Sequence, residues 1–403
     1  MSADAQGRPL TIQLVAGEES GDVLGAALIR ALRQRHSELR LGGLGGRAMA
    51  AEGVRSPFPI DELSIIGLAA IPGRLPRILR LIRETAAAVV AARPDALVII
   101  DSPEFTHRVA RRVRAMAPEI PIIDYVSPTV WAWRPGRASA MRAYVDHVLA
   151  LLPFEPAVHQ RLGGPPCTYV GHPVMQRLAE LRPSREEAAR RLADPPVVLV
   201  LPGSRASEIR RLIAVFGDAL GRLAAQTGPV DAVLPTLPHL LPAVTEAVKS
   251  WPVQPRIVLD AAEKNRAFRT ARVALAASGT VTLELAVAGV PTVAAYRVPL
   301  WEGLLFRLLA HVDTAILANL VLGERIVPEY HQLECRGDLI ADALVRLVGQ
   351  TPERQRRVEA FARLDEVMGL GGVQPAERAA EIVHAMALSG RRGGHAPNDR
   401  RES

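Results

Sequence analysis

A chain of 403 residues has room for two or three domains, and 49% hydrophobic content supplies their cores and excludes disorder as the default. The formal charge of +7 (49 Lys and Arg against 42 Asp and Glu), carried almost wholly by Arg, suits phosphorylated substrates, an anionic membrane surface or nucleic acid, but 4% aromatic content weighs against nucleic acid, which is gripped by stacking. No apolar run nears the roughly 18 residues that span a bilayer, and the polar, acidic N-terminus is unlike a signal peptide, so the chain is expected in the cytoplasm.

The stretch Leu10 to Ala16 reads as a buried strand, and GEESG (Gly17 to Gly21) as the turn after it. Ser20 is expected to cap a helix whose apolar residues Val23, Leu24, Ala27, Leu28, Ala31 and Leu32 recur at helical spacing. Strand, Gly turn and helix are how doubly wound sheets begin. LGGLGGRAMAAEG then reads as a Gly-rich loop into a second helix. With Ala48 where a third glycine would fall, it is no dinucleotide fingerprint. Ile60 to Glu84 interleaves Ile65, Ile66, Leu68, Ile71, Leu75, Ile78, Leu79 and Ile82 with Arg74, Arg77, Arg80 and Arg83. Two readings stand open: a basic amphipathic segment on a membrane or acyl-chain groove, or an ordinary helix packed on the sheet.

Ala96 to Ile100 is a continuous apolar strand with Asp101 at its carboxyl end, where open parallel sheets bind ligands; general base and helix N-cap compete for that carboxylate. Ile120 to Trp133 gives a strand followed by VSPTVWAW, whose Trp131 and Trp133 are expected in the core. His147 to Pro153 and Cys167 to Val170 add two strands, and Gly171 to Pro173 closes a first domain, taken as 1–176. Cys167 and Cys335 are far apart with no CxxC partner, which supports neither a disulfide framework nor a zinc site.

Residues 177–196 read as an interdomain connection and 197–388 as a second α/β domain. Its strands are expected at Val197 to Leu201, Asp231 to Leu234, Arg256 to Leu259, Val273 to Ala277 and Thr292 to Tyr296. Two of these run into similar turns, Pro202 to Arg205 and Ser278 to Thr280. Such a turn aims backbone N–H groups and a helix dipole at an anion, usually phosphate, and Glu284 one turn further on would reach an adjoining ribose. A plain N-cap with a surface Glu is the competing reading. From Pro299 to Val312 an apolar stripe serves core packing, or a lipid-facing or dimer-forming surface. Residues 389–403 read as a disordered tail.

AGEESGD (Ala16 to Asp22), GLGGRAM (Gly43 to Met49), DSPEF (Asp101 to Phe105), VSPTVWAWR (Val126 to Arg134), LLPFE (Leu151 to Glu155), VGHP (Val170 to Pro173), LPGSRASEI (Leu201 to Ile209) and ASGTVTLE (Ala277 to Glu284) follow in order. Together they closely resemble the lipid-A-disaccharide synthases, bacterial inverting glycosyltransferases of lipid A assembly, from about residue 10 to 385. The resemblance implies an α/β fold of GT-B architecture, two facing Rossmann-like domains with a central cleft, the first for the acceptor and the second for the nucleotide sugar. It implies transfer of 2,3-diacylglucosamine from UDP to the 6-hydroxyl of 2,3-diacylglucosamine 1-phosphate (lipid X), giving a β(1→6) disaccharide. In that light Asp101 is the candidate base. Ser278, Gly279 and Thr280, with Ser204 and Arg205, would stabilise the departing diphosphate without a metal or other cofactor. Glu284 would hold the ribose, Asn319 would lie near the donor, and Glu18 and Ser20 would position a sugar. The implied partners are the two acylated substrates and the cytoplasmic face of the inner membrane, met peripherally; no nucleic acid is implied, and a homodimer is left open. Glu104 and Thr106 depart from the family's D(A/S)PDFN. The rival readings are a peptidoglycan-type N-acetylglucosaminyltransferase, a UDP-sugar epimerase, or a non-catalytic UDP-sugar or membrane binding protein.

Overall fold

Short apolar strands alternate with amphipathic helices throughout the computed structural model, which describes residues 9–64, 75–299 and 312–393. The chain divides into two compact units, residues up to Pro173 together with those from Val373 on, and Val174–Gly372. In unit 1 the strands β1 (Leu10–Ala16), β2 (Leu39–Leu44), β3 (Ala96–Ile100), β4 (Ile122–Tyr125), β5 (His147–Ala150) and β6 (Cys167–Tyr169) form one parallel sheet in the order β2-β1-β3-β4-β5-β6. In unit 2, β7 (Val197–Leu201), β8 (Asp231–Pro235), β9 (Arg256–Val258), β10 (Val273–Ala277), β11 (Thr292–Tyr296) and β12 (Glu329–His331) form another, in the order β12-β11-β10-β7-β8-β9.

Parallel strands need crossover helices, which cover both faces of the sheet, so strands such as β3, β7 and β10 are apolar and buried at every position. Alternate residues of β3 serve opposite faces. Val98 and Ile100 join a core with the helix Glu19–Arg35, while Leu97 and Ile99 join one with the helices Leu75–Ala91 and Pro103–Met116.

Several expectations are corrected. The Gly-rich stretch expected as loop from Leu41 begins as strand, its Leu41 to Leu44 belonging to β2: Gly42 and Gly43 pair with Gln13 and Leu14 of β1, and backbone pairing needs no side chain. The short β12 was not foreseen, because Glu329, Tyr330 and His331 supply no apolar run. The connection at 177–196 is built into unit 2. There Arg191, within the helix Arg185–Leu192, donates to the carbonyls of Arg269 (2.7 Å), Phe268 (3.0 Å) and Ala288 (2.8 Å), tying together the ends of two other helices.

The helix Pro375–Gly393, assigned from sequence to the second domain and partly to a tail, returns to unit 1 and buries Ala379, Ala380, Val383 and Ala387 in the same core as Leu28 and Leu32. Residues 394–403 of the expected tail lie outside the described residues. So do 65–74 of the basic amphipathic stretch and 300–311 of the apolar stripe. Where that first stretch is described, Ile78, Leu81 and Ile82 are buried in the core while Arg77, Arg80 and Arg83 face outward, which is ordinary packing on the sheet. No described helix is long and apolar enough to cross a membrane.

Candidate active site

In unit 1, β1 lies between β2 and β3, so the connections on its two sides diverge and leave a crevice at the strands' carboxyl ends. Ala16 pairs with Ile100, which sends the turn Gly17–Glu18 and the residues Asp101–Ser102 out side by side. Gly17 approaches Ser102 so closely that a Cβ would overlap it. Asp101 and Ser102 both occupy the left-handed region, at φ 54° and 46°. Hydrogen bonds hold them there: the Asp101 N–H donates to the Tyr125 carbonyl (3.1 Å), and Thr106 Oγ1 donates to the Asp101 carbonyl (2.6 Å). The carboxylate is oriented as well, since Oδ1 accepts the Ser102 N–H (2.7 Å) and Oδ2 accepts the Ser20 hydroxyl (3.2 Å). Asp101 is therefore not the cap of the following helix, whose N-cap is Ser102. Nor is Ser20 a cap: its helix starts at Glu19 with the exposed Glu18 at the N-cap position.

The next strand end adds to this site. Val126 stands at φ 91° and Arg134 at 53°, so four of the six non-glycine residues at positive φ among the described residues gather at this end of one sheet. Such strain persists where surrounding structure enforces it, and it concentrates at functional sites. Glu155 ties the 126–134 loop to the end of β5: its buried carboxylate accepts from Trp131 Nε1 (3.2 Å) and from the N–H groups of Leu151 (3.1 Å) and Leu152 (2.9 Å). Burial pushes this carboxyl up to about 7, against the opposing pull of those donors. Trp131 packs edge-on against Phe154, the core role expected of it, whereas Trp133 lies under the Arg134 guanidinium, 4.2 Å from the ring centre.

Glu104 accepts from Arg137 (2.5 Å) and lies 3.4 Å from Arg134 and 3.6 Å from Arg108. Sequence reasoning missed Asp22, whose buried carboxylate receives the N–H groups of Gly46 (2.7 Å), Ala48 (2.8 Å) and Met49 (2.9 Å) and so starts the short helix of GLGGRAM. Its signal was an acidic residue in a Gly-turn motif with a second Gly-rich turn nearby in sequence.

In unit 2, β7 lies between β8 and β10, and Leu201 pairs with Ala276, so the turns Pro202 to Arg205 and Ser278 to Thr280 emerge together at that sheet's switch point. Gly203 has φ 118° and packs on Glu208, where a side chain would collide. Glu208, also missed from sequence, holds the first turn: Oε2 accepts the N–H groups of Ser204 (3.0 Å) and Arg205 (3.2 Å), and Oε1 pairs with the Arg205 side chain (2.9 Å). In the second turn the N–H groups of Gly279, Thr280 and Val281 meet no acceptor among the described residues, and Gly279 and Thr280 are exposed. The helix after it, Val281–Val287, has only 7 residues, so those N–H groups matter more than a long-helix dipole.

Glu284 is half-buried and its Oε1 pairs with Arg177 (2.6 Å), which also donates to Asn265 (3.1 Å). Asn319 is a different case. It is 1% exposed; its Nδ2 donates to the Val327 carbonyl (2.9 Å) and its Oδ1 accepts the N–H groups of Ile326 (3.0 Å) and Val327 (2.8 Å). Its amide is engaged with its own loop, a structural role beside the donor contact expected of it.

Two Rossmann-like units in one chain, each collecting polar residues at its switch point, define the GT-B class. Two solved structures share this fold. One is the UDP-GlcNAc 2-epimerase from Neisseria meningitidis bound to UDP-GlcNAc, with a TM-score of 0.61 and 12% identity over 94% of this chain and all of that one; the other is the MurG of Acinetobacter baumannii, with a TM-score of 0.57 and 13% identity over the same shares. Sequence goes further. The profile of the Lipid-A-disaccharide synthetase family matches residues 12–383. The chain is 59% identical to the lipid-A-disaccharide synthase of Rhodopseudomonas palustris (strain BisB18) over 95% of this chain and 97% of that protein, and 58% identical to that of Bradyrhizobium diazoefficiens over 94% and 97%. The chain belongs to the lipid-A-disaccharide synthetase family and is a glycosyltransferase of lipid A disaccharide formation. Membership sets aside the epimerase, peptidoglycan-transferase and non-catalytic readings.

Proposed function

We propose that the enzyme moves 2,3-diacylglucosamine from UDP to the 6-hydroxyl of 2,3-diacylglucosamine 1-phosphate with inversion, giving the β(1→6)-linked disaccharide 1-phosphate and UDP. The observation that carries this reading is Asp101, a carboxylate oriented by the Ser102 N–H and Ser20 at a strand end where the backbone is held in strained geometry. It takes the acceptor hydroxyl's proton as the oxygen attacks the anomeric carbon and the bond to UDP breaks. Glu18 and Ser20 position a sugar beside it. The negative charge that grows on the diphosphate is met by the N–H groups of Gly279 and Thr280, with Ser278, and by Ser204 and Arg205. Glu284 accepts a ribose hydroxyl while Arg177 fixes its orientation.

Both substrates carry acyl chains, so the protein works on the cytoplasmic face of the inner membrane as a peripheral protein. The exposed Arg80 and Arg83 of the helix Leu75–Ala91 are suited to anionic headgroups. Self-association into a homodimer is compatible with this arrangement. The test is UDP release from UDP-2,3-diacylglucosamine and the 1-phosphate acceptor, with wild type compared to Asp101→Asn. Absence of UDP from the wild type would sink the assignment, and an unaffected Asp101→Asn would sink the base.

A further inference from the structure

Around Glu104 three guanidinium groups converge on one carboxylate: Arg137 at 2.5 Å, Arg134 at 3.4 Å and Arg108 at 3.6 Å. Three positive charges against one negative leave a local excess of +2 (3 − 1). Folding does not call for this. The side chains of Glu104, Arg134 and Arg108 are 58%, 55% and 47% exposed, and ion pairs that open to water contribute little stability; only Arg137, at 19%, is largely shielded. Yet the chain holds Arg134 in left-handed backbone geometry and stacks its guanidinium on Trp133.

Position adds a second argument. Glu104 is in the first turn of the helix Pro103–Met116, three residues past Asp101 in sequence, where the helix end carries positive potential. Although burial alone would raise the Glu104 carboxyl, Arg137 first and then Arg108 and Arg134 hold it below the usual range. A phosphate monoester carries about −1.5 to −2 charges at neutral pH and three acceptor oxygens, more charge than the single Glu104 carboxylate offers and suited to the forked geometry of arginine.

We propose that Arg134, Arg137 and Arg108 receive the phosphate monoester of the acceptor, and that Glu104 is a resident counter-ion displaced when the phosphate enters. The inference rests on the reading that the acceptor is a sugar 1-phosphate deprotonated at Asp101. The donor's diphosphate has its own turns in unit 2, so the ligand assigned here is the acceptor.

The experiment measures UDP release with 2,3-diacylglucosamine 1-phosphate and with the same glycolipid lacking its phosphate, both dispersed in neutral detergent. Wild type is expected to prefer the phosphorylated acceptor in kcat/KM by about tenfold or more, and Arg134→Ala with Arg137→Ala to erase that preference through KM. Glu104→Gln is expected to keep or strengthen the preference, because the competing carboxylate is gone. If the double variant does not fold, judged by circular dichroism, Arg108→Ala and Arg134→Ala singly carry the same comparison. A preference that survives these substitutions overturns the proposal, as does a Glu104→Gln variant that loses as much as the arginine variants. A parallel arm measures sedimentation with anionic and neutral vesicles. Loss of anionic-vesicle binding with the acceptor preference intact would assign the arginines to lipid headgroups and likewise overturn it. A wild type that releases no UDP from either acceptor strikes the underlying reaction instead.

Discussion

At the scale of single residues, Asp101 follows the end of β3 and Glu155 opens the helix after β5, and the surroundings of these two carboxyl groups separate their roles. Asp101 is half-buried and aimed by two short-range donors, whereas Glu155 is buried and structural. Asp101→Asn keeps the shape and removes the base, so kcat is expected to fall about 10²- to 10⁴-fold with a small change in donor KM, read from UDP release at saturating substrates. Glu155 makes a prediction about pH. Its folded-state value of about 7 lies above the ordinary 4.5, so folding favours the neutral acid. The associated stabilisation is complete below about pH 4.5 and is lost as pH rises through 7, at most about 3 kcal/mol. Urea unfolding at pH 5 and pH 8 is expected to show a smaller difference in Glu155→Gln than in wild type. An identical difference would mean that the carboxyl is ionised across the range.

At the scale of elements, the turns are held by residues whose importance lies in where their backbone partners are. Asn319 secures three main-chain groups from a buried position. Asn319→Ala is expected to cost on the order of 3 kcal/mol by orphaning them, seen as a lowered Tm; a raised donor KM with Tm intact would restore the donor-contact role. Gly203→Ala puts a side chain against Glu208 at a φ of 118°. The strain, about 1–3 kcal/mol, is expected to loosen the Ser204–Arg205 turn and raise the KM for the UDP-sugar, measured by initial rates. Strand positions were plain in the sequence: β3, β7 and β10 fall where unbroken apolar runs demanded them, and β1 and β11 where mostly apolar ones did. The capping residues were not, because Asp22 and Glu208 look like ordinary surface acids until the fold brings backbone N–H groups to them.

At the scale of the whole molecule, the helix Pro375–Gly393 closes a unit begun at the other end of the chain. A chain ended at Gly372 leaves the core around Leu28 and Leu32 without Ala379, Val383 and Ala387, and is expected to lose the cooperative thermal transition of unit 1. An unchanged melt would show the helix to be dispensable. Fold class, reaction family and the two Gly turns of unit 2 were legible along the chain. Apolar period, turn chemistry and ordered motifs are local properties that one chain displays without folding. Tertiary structure alone decided the partners: Ser20 on Asp101 rather than on a helix end, Arg177 on Glu284, three arginines on Glu104, and the last helix beside the first. These contacts join residues from 4 to more than 300 positions apart. Nearly all lie beyond the reach of local period, and only packing sets which side chains meet.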